Sequence, residues 1–159
     1  KNLVHSINTN AHSRRLMVSA WAPHEIFDMA LPPCHYAFQV YINNGVMDLM
    51  WQQRSADVFL GLPYDIAMYG LLLEMLAKGA ELKAGQLIGQ LGDCHLYNNH
   101  LDQAREFRRR HNPKLPQLEL DSGIFLSISN DLYIPESNKI KLINYNPLSA
   151  IKAELSVGK

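Results

Sequence analysis

Residues 64–78 limit the fold more than any other stretch, because Ile66, Tyr69, Leu72, Leu73 and Leu76 recur there at helical spacing. Their apolar stripe is wide, so the helix needs cover along much of its girth and belongs at the centre of the fold. Asp65 in its first turn suits the positive end of the helix dipole whatever else it does. Gly79 stands where a glycine commonly ends a helix. The residues before this helix read as strands. Residues 36–42 are aromatic and β-branched, Asn43-Asn44-Gly45 is a hairpin signal, and residues 46–53 form the return strand. Residues 16–21, 86–91, 113–120 and 139–145 are further strand candidates. Residues 23–29 suggest a short helix opened by a proline, and residues 101–110 a helix with a basic end. A long helix among such strands predicts an α/β (α+β) fold, a mixed β-sheet with a long central helix. Neither a repeat nor a linker divides the chain, so residues 1–159 read as a single unit.

Composition narrows the function classes. With 159 residues, 47% of them hydrophobic, the chain can bury a sizeable core. Fifteen basic residues against fifteen acidic ones leave no charge excess to point to DNA or a membrane surface. Cys34 and Cys94 are too few for a disulfide framework, and no ligand spacing suggests a metal, so a reducing, cytoplasmic setting is expected. The longest apolar stretch, residues 66–73, includes Tyr69 and Gly70 and falls well short of the roughly twenty residues a membrane span needs. The chain opens on Lys1, and residues 2–7 read as the end of a helix already under way, which suggests a fragment.

Several residues can carry chemistry. Pro32 and Pro33 stiffen the backbone and remove two N–H donors just before Cys34. That thiol is either a small buried apolar group or a nucleophile held on an extended segment. Arg14 and Arg15 are either solvated charge or an anion site, since the guanidinium fork matches phosphate oxygens. Arg54, Ser55 and Asp57 place a cation, a hydroxyl and a carboxylate near one strand end, which suits an anionic ligand; the plainer alternative is an Arg54–Asp57 surface pair. Residues 92–100 are dense in hydrogen-bonding side chains. If that segment is extended, His95 and Tyr97 share a face and can read a hydroxyl.

The ordered motifs Ser13-Arg14-Arg15, Ala20-Trp21, Ala30-Leu31-Pro32-Pro33-Cys34-His35, Gln53-Arg54-Ser55-Ala56-Asp57-Val58-Phe59-Leu60-Gly61-Leu62-Pro63, Gly92-Asp93-Cys94-His95-Leu96-Tyr97-Asn98-Asn99-His100 and Ala150-Ile151-Lys152-Ala153 resemble the thymidylate synthase family. The resemblance runs from about residue 13 to residue 157 and implies a thymidylate-synthase-like catalytic domain whose N-terminal part is missing. It also implies a methyltransferase of dTMP biosynthesis, acting on dUMP with 5,10-methylenetetrahydrofolate as co-substrate and no metal. The Cys34 thiolate would add to C6 of the pyrimidine. Arg54 would bind the phosphate and lower the thiol pKa, and Ser55 would hold the same phosphate. Arg14 and Arg15 would reach the neighbouring subunit's nucleotide, making a homodimer with shared sites. His95 and Tyr97 would hold the sugar hydroxyl, Asp57 would contact the pterin ring of the folate, and Gly61 would let backbone approach the ligands. The tail through Val157 would close over the folate.

Two departures qualify that resemblance. The family's N-terminal portion, with a further phosphate-binding arginine, a catalytic glutamate and a tryptophan beside the folate, is absent, so the chain alone is expected to be inactive. Asp65 stands where the family usually has an asparagine that bonds uracil N3–H and O4. An ionised aspartate offers acceptors only, and relatives that methylate or hydroxymethylate dCMP carry aspartate here. His35 and the Ala150-Ile151-Lys152-Ala153 tail match ordinary thymidylate synthase, although Gly158-Lys159 extends the usual terminus. The expected reaction is therefore dUMP methylation. The alternatives are dCMP methylation or hydroxymethylation, an inactive fragment or half of a split enzyme, and a nucleotide- or RNA-binding relic.

Overall fold

A computed structural model describes residues 2–111, 114–121 and 137–156. The chain divides into two compact units, residues 1–95 and 96–159. The first unit opens with helix α1 (Asn2–Thr9), strand β1 (Met17–Ser19) and a single 3-10 turn at Ile26–Asp28, a tighter form of the short helix expected over residues 23–29. Strands β2 (His35–Asn43) and β3 (Val46–Asp57) form an antiparallel hairpin. Its turn residues Asn44 and Gly45 take φ of 49° and 76°, as the twist-matched two-residue turn requires, so the Asn-Gly signal encodes this geometry directly. Helix α2 (Leu62–Gly79) then carries the chain to strand β4 (Lys83–His95), which pairs with β3 in parallel. The resulting mixed sheet has the order β1-β2-β3-β4.

The core lies between this sheet and α2. Along β3, Met47, Leu49, Trp51 and Gln53 are buried at every second position, and α2 contributes Tyr69, Leu73 and Ala77. The Trp51 and Tyr69 rings stack with centroids 5.1 Å apart and planes 13° apart. Trp51 fits because Gly89 lies beneath it: a Cβ there would come within 2.5 Å of two indole carbons. Burying Leu49 and Met47 completely, as here, stabilises by about 1.5–3 kcal/mol each.

The helix does not end as its sequence suggests. Gly79 is the last helical residue, and the left-handed cap is Glu81, with φ of 56°. Glu81 N–H bonds the Lys78 carbonyl at 3.1 Å and Leu82 N–H bonds the Ala77 carbonyl at 2.8 Å, which together form a Schellman cap. Two backbone bonds and the entry of Leu82 toward β4 offset the modest cost of placing a non-glycine residue there.

The second unit holds a 3-10 turn (Asn98–His100) leading into helix α3 (Leu101–Arg109), and an antiparallel pair, β5 (Gln117–Leu120) with β6 (Ile140–Ile143). Residues 145–156 are irregular but tied down. The fully buried His100 donates from Nε2 to the Glu154 carbonyl at 2.7 Å, Ser156 Oγ bonds Asn99 Oδ1 at 2.8 Å, and Arg110 Nη1 bonds the Ser149 carbonyl.

Candidate active site

Cys34 sits half-buried at the entrance to β2, and its carbonyl accepts Arg54 N–H from the C-terminal part of β3 at 2.9 Å. The Arg54 guanidinium reaches back over the same segment. Nε donates to the Pro33 carbonyl at 3.2 Å and Nη2 to the Pro32 carbonyl at 2.7 Å. The two prolines that give up their own N–H groups thus offer their carbonyls to one cation, and the nucleophile's approach is clamped to the sheet by charge-assisted bonds. A bulge between His35 and Ala37 shifts the hairpin register where Cys34 leads into it. Ser55 follows on β3, half-buried and paired in register with Asp93.

Beyond β3 the chain turns on Asp57, whose Oδ1 accepts Phe59 N–H at 2.9 Å and Leu60 N–H at 3.3 Å. Arg54 and Asp57 therefore serve different partners and form no pair with each other. Gly61 precedes α2 with an ordinary negative φ. A Cβ there would stand 3.1 Å from the Asp57 carbonyl, tighter than ordinary contact, so in the described structure the close approach at Gly61 is within the chain itself. His95 lies opposite Asp57 in the β3–β4 register, and its carbonyl accepts Val58 N–H at 2.9 Å. His95 Nδ1 is 3.2 Å from the Asp93 carbonyl.

A polar relay runs through the buried side of the site. Trp51 Nε1–H donates to Gln53 Oε1 at 3.1 Å, while Gln53 Nε2 donates to the Ser55 carbonyl and to Asp65 Oδ2, each at 2.9 Å. Asp65 Oδ1 lies 3.3 Å from His35 Nε2, next to the nucleophile in sequence. Tyr69 packs against both, its ring 5.6 Å from that of His35. Burial first, and the Asp65 carboxylate second, push the Tyr69 hydroxyl above the usual tyrosine range, so it stays neutral. The dipole argument for Asp65 stands, but the carboxylate is also the meeting point of three elements.

The structure thus links Cys34, Arg54 and Asp65 through direct neighbours, with Ser55, Asp57, Gly61 and His95 along the same strand ends. Arg14 and Arg15 are exposed in the turn before β1, which pairs with β2 but meets it toward its far end from Cys34: Met17 lies opposite Gln39, and Val40 N–H bonds the Leu16 carbonyl. Tyr97 belongs to the second unit, where its ring meets His100 edge-on at 5.8 Å. Val157 lies outside the described residues. Sequence reasoning gave no role to Gln53, although it continues the inward series Met47, Leu49, Trp51, and a polar residue on a buried strand face signals a network. Among the described residues no group of three His, Cys, Asp or Glu side chains could hold a metal ion, and no helix is long and apolar enough to cross a membrane.

The thymidylate synthase family model matches residues 1–157. The chain is 46% identical over 156 residues to a thymidylate synthase of Listeria monocytogenes serotype 4a (strain HCC23), covering 98% of this chain and 48% of that one. It is 44% identical over 157 residues to a thymidylate synthase of Coxiella burnetii (strain Dugway 5J108-111), covering 99% and 58%. Thermostable thymidylate synthase A from Bacillus subtilis superposes with a TM-score of 0.88 at 32% identity, covering 97% of this chain and 54% of that structure. The chain spans about half the length of these relatives.

Proposed function

The chain belongs to the thymidylate synthase family, and from that membership we propose that it is the part of a homodimeric, cytoplasmic enzyme that converts dUMP to dTMP, acting as one catalytic unit over residues 1–159. The observation that carries the reading is the clamp of Arg54 on Pro32 and Pro33, which holds a half-buried Cys34 beside a cation that retains donors for a phosphate. In this reading the Cys34 thiolate adds to C6 of the pyrimidine, which makes C5 nucleophilic; the proton originally on C5 is lost after the one-carbon unit is attached, and the C6–S bond breaks as the methyl group is completed, returning Cys34 as thiolate. 5,10-methylenetetrahydrofolate supplies the one-carbon unit and the hydride. Asp57 suits the pterin: its Oδ1 is held by two backbone amides, leaving Oδ2 to accept a ring N–H. Arg54 and Ser55 bind the phosphate, with Arg14 and Arg15 acting on the partner subunit's nucleotide. His95 and Tyr97 hold the sugar hydroxyl, and Gly61 and Val157 border the folate. A homodimer also gives a use to one sheet face, where the register places Met17, Tyr41 and Ile88 together and exposed.

Asp65 favours a second reading, methylation or hydroxymethylation of dCMP, because an ionised carboxylate offers only acceptors, which suit the amino group of cytosine. Tritium release from C5-labelled dUMP and dCMP, with dihydrofolate followed by absorbance, separates the two. Release from dUMP with dihydrofolate formed, and its loss in Cys34→Ala, is the expected result. Release from neither nucleotide, by the longest native polypeptide carrying these residues, would overturn the proposal.

A further inference from the structure

Gln53 is 3% exposed, and its carboxamide can take only one orientation. The Trp51 indole is a donor with no acceptor, so Oε1 must face it, and both Nε2 hydrogens are then spent on the Ser55 carbonyl and Asp65 Oδ2. Whatever occupies position 65 must therefore present an acceptor to Gln53. Resting on the reading above, we infer that Gln53, itself oriented by Trp51, is the positioning residue that sets which atom of residue 65 faces the pyrimidine. An aspartate has two oxygens and presents an acceptor on its other side however it turns, here toward His35. A base group that meets that oxygen must bring a donor hydrogen, as N4 of cytosine and N3 of uracil both can, whereas O4 of uracil cannot. An asparagine at this position has no such freedom: its oxygen must meet Gln53, which turns its NH2 outward as a donor.

This makes a specific non-additivity. Gln53→Met removes the orienting donors at similar volume. In the native background that changes little about what position 65 presents, since either carboxylate oxygen accepts. In the Asp65→Asn background it frees the amide to turn, so discrimination collapses. The readout is the ratio of kcat/KM for dUMP over dCMP, from C5 tritium release, together with the ratio of the two nucleotides' Kd values. Both ratios are independent of how much protein is folded. They are measured for the native sequence, each single variant and the double variant on the longest native polypeptide that carries these residues. Asp65→Asn alone is expected to move the ratio toward dUMP by about 100-fold or more. Adding Gln53→Met to it should move the ratio back by at least about tenfold, whereas Gln53→Met alone should shift it less than about threefold. Gln53→Glu provides a second variant: it keeps the acceptor for Trp51 but offers none of the donors, so combined with Asp65→Asn it should reverse that variant's preference. Equal shifts in both backgrounds, or no reversal, would mean that Gln53 acts through packing alone, and would overturn the inference while leaving the enzyme assignment intact. Absence of turnover and of binding with either nucleotide would overturn the assignment and the inference with it.

Discussion

Gly89→Ala tests whether the packing beneath Trp51 supports the site. The added methyl would stand 2.5 Å from indole Cη2 and Cζ2 and 3.1 Å from Cε2. Restoring an ordinary carbon–carbon contact of about 3.5–4.0 Å requires the ring to move by about 1 Å or more. The ring is held on one side by Tyr69, and Cε2 carries the Nε1–H that bonds Gln53 at 3.1 Å, so a movement of that size breaks the bond and leaves a buried carbonyl oxygen unpaired. Overpacking costs about 1–3 kcal/mol, and the unpaired acceptor costs about another 1–3 kcal/mol. Against a total stability of about 5–15 kcal/mol, a loss of about 2–6 kcal/mol is large. Urea unfolding followed by tryptophan fluorescence should show the midpoint falling by about 1 M or more at a typical slope of roughly 1–3 kcal/mol/M. Trp51→Phe removes the clashing carbons, so Gly89→Ala should cost at least about 1 kcal/mol less in that background. A loss below about 0.5 kcal/mol, or costs that simply add, would refute the packing argument.

Tyr69 gives a signed pH effect. Its pKa is raised in the folded protein, so above about pH 10 the unfolded chain releases this proton first and stability falls as pH rises; Tyr69→Phe should flatten that alkaline loss in urea midpoints measured from pH 8 to 11. Asp57→Ala removes the acceptor for two amides and should destabilise by about 1–3 kcal/mol, while raising KM for the folate more than for the nucleotide in steady-state kinetics. His100→Ala deprives the Glu154 carbonyl of its donor, and faster proteolytic cleavage within residues 145–156 is expected, with unchanged cleavage elsewhere.

Much of the fold follows from local chemistry that any reader of the sequence can use. Asn44-Gly45 forces the hairpin, because both residues tolerate positive φ, and the 3.6-residue spacing of Tyr69, Leu73 and their neighbours commits residues 62–79 to a helix that must be covered. Taken singly, Cys34, Arg54 and Asp65 each had a plain use, as a buried thiol, a surface ion pair and a helix-dipole carboxylate; what marked them as candidates was the ordered set of motifs around them. The details of the site were not legible, since they depend on residues brought together across long stretches of chain. Which carbonyls Arg54 grips, more than twenty residues away, is settled by the β2–β3 register and its bulge at the Cys34 end. The helix cap fell on Glu81 rather than Gly79 because the direction of entry into β4 decides where the chain must turn.

The sequence by itself determined the turn, the central helix and the inventory of reactive groups, each a property of a few adjacent residues. Only the tertiary structure decided that Trp51, Gln53, Asp65 and His35 form one relay. A strand side chain faces the core or solvent according to register, and a slip of one residue would have turned Gln53 away from Asp65 altogether.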